Sequence, residues 1–156
     1  VHEVLERVVA LIASEHREAV KLLRDYDPSL PPLSADPDQL MQALLNITRN
    51  AVQSIAQDGH VIFRTRALTN FPIGAIRHKL VLSIEIEDNG PGVPADLAES
   101  IFYPLVTGRP DGTGLGLPIS QDLVSRHGGL IEYQSRPGRT VFTVRLPAVA
   151  PAPEVA

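Results

Sequence analysis

A chain of 156 residues with 44% hydrophobic and 21% charged residues has the size and composition of one compact domain with a substantial core. A formal net charge of -4, with four Phe, three Tyr and no Trp, argues against a nucleic-acid surface. The absence of cysteine excludes disulfides and thiolate metal sites. The longest apolar run, Val8 to Ala13, falls far short of a membrane span. Nothing resembles a signal peptide, and a start without Met leads us to expect a piece of a longer protein.

Val1, Leu5, Val8 and Ile12 lie at helical spacing and predict a leading amphipathic helix to about Ser14. Ala19 to Tyr26 reads as a short strand, closed by the turn-rich stretch Asp27 to Pro32. Asp36-Pro37 is an N-cap followed by a first-turn proline, the start of a long helix to about Ile55. Its apolar arc is Leu40, Leu44, Ile47, Ala51 and Ile55. Val61 to Leu68 is read as a strand, Thr69 to His78 as a long hairpin connection, and Lys79 to Asp88 as a central strand.

A short helix is expected from Ala95 to Ile101, and a mobile Gly/Pro-rich loop from Pro104 to Gly114. A helix follows from Leu115 to Arg126, stopped by Gly128-Gly129. Leu130 to Ser135 and Thr140 to Leu146 make a hairpin around Arg136-Pro137-Gly138-Arg139. The Pro/Ala-rich end, residues 148–156, has no reason to fold. The fold class is α+β: a two-layer α/β sandwich whose mixed, mostly antiparallel sheet carries helices on one face.

In the central strand Leu80, Leu82, Ile84 and Ile86 alternate with Val81, Ser83, Glu85 and Glu87. The same register puts Asp88 on the apolar face, at the mouth of Asn89-Gly90-Pro91-Gly92. An unpaired buried carboxylate is costly. No donor is obvious nearby, so a ligand amine is a good partner, with Gly90 and Gly92 letting backbone and ligand approach closely. Asn-Gly alone also makes an ordinary turn. A dinucleotide fingerprint over Gly90 to Ala95 is disfavoured, because Pro91 and Pro94 remove backbone donors and no βαβ unit follows.

On the long helix Asn46 and Asn50 stand one turn apart, with Gln42, Arg49 and Gln53 on the same arc. Such a stripe is often just a solvated face, yet Asn is a mediocre helix former, and its amide oxygen suits Mg²⁺ beside phosphates. Gly112-Thr113-Gly114-Leu115-Gly116 opens into a helix, which makes a phosphate cradle of glycine amides and helix N-terminus. A flexible linker is the plainer alternative. Thr140 shares a strand face with Phe142, Val144 and Leu146, so its hydroxyl points inward, toward Asp88, a shared ligand or a main-chain carbonyl.

In this order, Asn46-x-x-x-Asn50, Asp88-x-Gly90-x-Gly92, a segment holding Phe102, and Gly112-x-Gly114-x-Gly116 resemble the asparagine, first glycine, phenylalanine and second glycine boxes of the histidine kinase ATP-binding catalytic domain. That domain belongs to the GHKL superfamily with its Bergerat-type fold. The likeness covers about Asp36 to Pro147. Three segments, Leu45 to Ala51, Phe102 to Arg109 and Arg24 to Pro31, resemble the NtrB-type nitrogen-regulation sensor kinases.

The resemblance implies a catalytic domain over residues 1–147 with an ATP lid at 104–114. ATP and Mg²⁺ would be its ligands: Asp88 receives the adenine amine near Thr140, with Gly90 and Gly92 beside it. Asn50 ligates Mg²⁺ and Asn46 lines the phosphate side, the two being the catalytic pair. Gly112, Thr113, Gly114, Leu115 and Gly116 hold lid and phosphates, Phe102 anchors the lid, and Arg109 reaches the phosphates. Many sensor kinases carry Lys where this chain has Gln53, so the phosphate charge contact would be weaker or would come from Arg49 or Arg109.

The reaction implied is transfer of the γ-phosphate to a histidine on an upstream dimerisation and phosphoacceptor domain. None of His2, His16, His60, His78 or His127 stands in the phosphoacceptor context, and each reads as a surface or loop histidine. A response-regulator receiver domain and a P-II-type signal protein are the further partners implied, with a cytoplasmic location and no nucleic-acid or membrane contact. The rival readings are a hydrolysing GHKL ATPase, which would need a Glu base where Asn46 stands, and a degenerate nucleotide-sensing module.

Overall fold

A computed structural model of the chain describes residues 1–15, 20–55, 58–94, 96–97, 101–102 and 116–148. Helix α1, His2–Glu15, buries Val4, Leu5, Val8, Val9 and Ile12 at the predicted spacing. Strand β1 is Val20–Asp25, and helix α2 is Pro37–Ser54. Asp36 caps α2 with its carboxylate, which accepts from the N–H groups of Asp38 at 3.0 Å and Gln39 at 3.3 Å. Such a cap contributes about 1 kcal/mol. Leu40, Leu44, Ile47 and Ala51 are buried as expected, while Ile55 is half-buried at the C-cap.

Strand β2 is Gly59–Ile73 and β3 is Ile76–Asp88. Both run much further than their sequence suggested. The stretch read as a long connection, Thr69 to His78, is mostly paired strand closed by the two residues Gly74-Ala75. Gly74 has φ 59°, the first position of a tight hairpin turn of the kind that matches strand twist. The error arose at Asn70 and Pro72, which look like loop residues. Asn70 indeed leaves extended geometry at φ 51°, but the ladder resumes at Phe71.

Helix α3, Gly116–Arg126, is the described part of the helix predicted from Leu115. It ends on N–H donation from Gly129 to the Val124 carbonyl and from Gly128 to that of Ser125, both 3.0 Å, the double bond pattern of a glycine stop. Strands β4, Leu130–Arg136, and β5, Arg139–Pro147, form the predicted hairpin. The Ala148 N–H still donates to the Leu80 carbonyl at 3.0 Å, so pairing extends one residue past the expected tail boundary. Of the helix expected over Ala95 to Ile101, the described residues are turns. The predicted lid, 104–114, and the tail beyond Ala148 lie outside the described residues.

The strands form one sheet in the order β1-β2-β3-β5-β4. β1 runs parallel to β2, and every other pair is antiparallel. The expected α+β class with a mixed, mostly antiparallel sheet is therefore observed. One sheet face carries Val61, Phe63, Ile84, Ile86, Phe142, Val144 and Ile131 into a core shared with α1, α2 and α3. The other face is a lattice of ion pairs: Arg64 with Asp25 at 3.3 Å and Glu85 at 2.9 Å, Arg139 with Glu87 at 2.9 Å, and Arg145 with Glu132. Exposed pairs of this kind stabilise weakly, by about 0–1 kcal/mol each. Burial on one face and charge on the other fixes the register, because a one-residue slip would exchange the two.

Candidate functional site

The predicted buried acid is buried. Asp88 ends β3 at 2% exposure, between Val61 of β2 and Thr140 of β5 in the register. The expectation that no local donor reaches it is corrected: the Gly90 N–H donates to Oδ1 at 2.9 Å. The Ser54 hydroxyl lies 3.5 Å from the same oxygen, but its proton is better placed for the Ala51 carbonyl at 2.7 Å. Oδ2 has no hydrogen-bond partner among the described residues. Desolvation pushes the carboxyl above its ordinary value, opposed by the Gly90 bond. One oxygen is thus fixed by the backbone while the other keeps its acceptor capacity.

The loop after Asp88 is built by close approach. A Cβ on Gly90 would lie 2.8 Å from Ser54 Oγ and 3.0 Å from Asp88 Oδ1. Gly92 takes φ 93°, and a Cβ there would meet the Arg136 carbonyl oxygen and Ser135 Oγ at 3.0 Å. Asn89 turns its side chain inward to accept from the His60 N–H at 2.9 Å. Thr140, 4% exposed, shares a hydrogen bond of 2.8 Å with Ser135 Oγ. Among the described residues its partner is therefore this cross-strand hydroxyl, neither Asp88 nor a main-chain carbonyl.

Asn46 and Asn50 are half-buried on α2. Asn46 Nδ2 donates to the Gly116 carbonyl at 3.3 Å, which ties the asparagine helix to the start of α3. Ser120 Oγ reinforces the same junction by donating to the Ala43 carbonyl at 2.9 Å. Phe102 sits edge-on to Tyr133 and Phe142, with centroids at 6.2 and 6.4 Å. Arg49 donates to Glu15 at 2.7 Å, so it is engaged with α1 and not held ready for a phosphate. Arg109, Gly112, Thr113, Gly114 and Leu115 lie outside the described residues.

Two histidines are more than surface residues. His2 Nε2 bonds Thr65 Oγ1 at 2.8 Å. His127 accepts at Nε2 from the Asp36 N–H at 3.1 Å and pairs Nδ1 with the Leu123 carbonyl at 2.8 Å, which joins the end of α3 to the cap of α2.

Ser54 and Ser135 escaped the sequence reading. For Ser135 a signal existed, because counting back across Pro137-Gly138 places it opposite Thr140. Among the described residues no three His, Cys, Asp or Glu gather as a metal site. A cation held here by an amide oxygen would take most of its shell from ligand phosphates and water. No helix among them is long and apolar enough to cross a membrane.

Residues 35–150 match the family described as histidine kinase-, DNA gyrase B-, and HSP90-like ATPase. The sensory histidine kinase/phosphatase NtrB of Klebsiella oxytoca is 50% identical over 148 residues, 94% of this chain and 42% of that protein. Its namesake in Rhodobacter capsulatus is 42% identical over 156 residues, 97% of this chain and 43% of that protein. The chain thus spans less than half the length of these relatives.

Among solved structures, the nucleotide-free catalytic domain of the histidine kinase ThkA superposes with a TM-score of 0.79 at 25% identity, over 95% of this chain and 92% of that one. Full-length ShkA in complex with AMPPNP gives 0.77 at 30% identity, over 97% of this chain and 31% of that one. The buried acid, its glycine loop and the asparagine helix therefore sit on the fold of histidine kinase catalytic domains, and the chain belongs to the histidine kinase-, DNA gyrase B- and HSP90-like ATPase family.

Proposed function

We propose that the chain is the catalytic domain of an NtrB-type sensor kinase, binding Mg·ATP and donating the γ-phosphate to a histidine on a dimerisation and phosphoacceptor domain. The observation that carries the reading is Asp88, buried, fixed through Oδ1 and still able to accept through Oδ2. An adenine 6-amino group is the matching donor, and Gly90 leaves the space beside it. Asn50 would ligate Mg²⁺ through its amide oxygen, and Asn46 would face the phosphates. Gly112 to Gly116 would cradle them at the N-terminus of α3, with Phe102 anchoring the lid and Arg109 supplying charge.

In the transfer, the bond between the γ-phosphorus and the β–γ bridging oxygen breaks, ADP leaves, and a bond forms to an imidazole nitrogen that gives up its proton. Little covalent work falls to the protein, so positioning and charge neutralisation dominate. Asn46 directs its amide N–H to Gly116 and offers no base, which disfavours the hydrolysing alternative. A receiver domain downstream, a P-II-type signal protein and a cytoplasmic setting complete the reading, supported by the likeness to NtrB.

Incubation with labelled ATP tests it. The chain alone should acquire no acid-labile phosphate, and an added phosphoacceptor domain from an NtrB-type kinase should acquire it. Stable labelling at one of the chain's own histidines, or rapid hydrolysis without transfer, would overturn it.

A further inference from the structure

We propose that Ser135 is a positioning residue for the base end of the nucleotide site, holding the Thr140 hydroxyl and the Gly92-Val93 segment in one arrangement. The proposal rests on the reading that Asp88 and Thr140 face the adenine.

Ser135 stands on β4, in register opposite Thr140, which is itself in register with Asp88. The three side chains therefore form one row across three strands on the helix-covered face. Ser135 Oγ accepts the Val93 N–H at 2.8 Å and shares its second bond, also 2.8 Å, with Thr140 Oγ1. Gly138 adds a parallel stitch, donating its N–H to the Gly90 carbonyl at 3.0 Å. The loop that follows Asp88 is thus sewn to the β4–β5 hairpin at two points, and Ser135 is the side chain at one of them. A Cβ on Gly92 would lie 3.0 Å from Ser135 Oγ, so glycine is what lets the loop come this close to the hydroxyl.

A hydroxyl accepts two hydrogen bonds and donates one. With the Val93 N–H on one lone pair, Ser135 can either accept the Thr140 proton or donate its own to Thr140. The first arrangement leaves Thr140 presenting lone pairs to a ligand, and the second frees the Thr140 proton for donation. Among the described residues Thr140, buried at 4% exposure, has Ser135 as its hydroxyl partner. Ser135 therefore fixes where the Thr140 oxygen sits while letting its polarity follow the ring atom of the base that it meets.

Calorimetric titration of the 156-residue chain with ADP, with and without Mg²⁺, tests this on Ser135→Ala, Ser135→Thr, Thr140→Val and the double variant, with Asp88→Asn as control. Ser135→Ala should weaken ADP about tenfold, equally with and without Mg²⁺, since the effect lies at the base end. Ser135→Thr, which keeps the hydroxyl, should restore binding to within about twofold. Ser135→Ala should add nothing to Thr140→Val, because the two act as one unit.

The proposal fails if Ser135→Ala binds as wild type, if Ser135→Thr does not rescue, or if the two losses add. Should Ser135→Ala melt too low to titrate, Ser135→Cys takes its place with the same expectations. The underlying reading fails separately, if Asp88→Asn or Thr140→Val binds ADP as wild type. Loss in both of those with none in Ser135→Ala removes this inference alone.

Discussion

Two polar knots sit on the same covered sheet face, and they differ in being closed or open. Around Thr65, fully buried, polar groups from neighbouring segments bond to one another. Thr65 Oγ1 receives the Asp27 N–H at 2.9 Å and pairs with His2, whose ring stacks on Tyr26 with centroids 4.5 Å apart. Tyr26 donates to Glu6 at 3.0 Å, and Arg24 grips the same carboxylate through two bonds of 2.6 and 3.0 Å. The Arg24 bond holds the Glu6 carboxyl below its ordinary value. Around Asp88 the network among the described residues stops at one oxygen, and burial pushes the carboxyl the other way. A closed knot joins α1, β1 and β2. An open one, buried and with one oxygen unbonded among the described residues, is the place our reading gives to a ligand's donor.

The largest effect should come from closing the open knot artificially. On the proposed reading Asp88→Asn substitutes an amide for the carboxylate that would accept the adenine amine, and ADP and ATP binding should fall by at least about a hundredfold. The fold should survive with equal or slightly higher melting temperature, since a buried charge is removed. Persistent binding seen by calorimetry would end the distinction between the two knots. Next in size, Asn50→Ala should spare Mg²⁺-free ADP binding and remove about a tenfold Mg²⁺-dependent gain. Equal losses for both variants, with and without the metal, would show that the base and phosphate ends are not separable.

The open knot was legible in the sequence because period-two alternation counts residues across a face, and Asp88 fell where only apolar residues belong. Long helices with a cap, as at Asp36-Pro37, were legible for the same reason: the signal is local and repeated. What stayed hidden depended on pairing between distant segments. Arg49 is taken up by Glu15 from a helix 34 residues away, and the exception is the Gly90 N–H, only two residues from Asp88, a local turn bond of the kind Asp makes readily. The closed knot was invisible too, for His2, Thr65 and Asp27 belong to α1, β2 and the loop after β1. Asn70 and Pro72 misled because turn-type residues are tolerated in a twisted two-stranded ribbon.

A smaller effect should follow from opening the closed knot. Thr65→Val keeps the shape but removes the acceptor for the Asp27 N–H and the partner of His2. Chemical denaturation should report a loss of about 1–3 kcal/mol. ADP affinity should not change, because the hydrogen bonds of Thr65 run to His2 and Asp27 and not to the Asp88 loop. A matching loss of nucleotide affinity would mean that the two knots are coupled through β2.

The smallest effect, and the sharpest test of the contrast, is its dependence on pH. His2 is held below its ordinary value of 6.5, chiefly by burial and then by the Val1 ammonium, with Asp27 and Glu6 pulling the other way. A histidine with a lowered folded value favours the neutral ring, so its contribution is complete above pH 6.5 and is lost as pH falls below it. His2→Phe keeps the ring on Tyr26 and removes the titration, so the stability difference from wild type should shift across that window. Asp88 responds in the opposite sense. Its folded value lies above the ordinary 3.8, so the folded state takes up the proton first. Relative to Asp88→Asn, stability should rise as pH falls from above the folded value toward 3.8. ADP affinity should fall over the same range, because the protonated acid is a poorer acceptor for the amine. Stability and affinity moving together at Asp88, or a His2→Phe difference that stays flat with pH, would remove the physical basis for calling one knot open and the other closed.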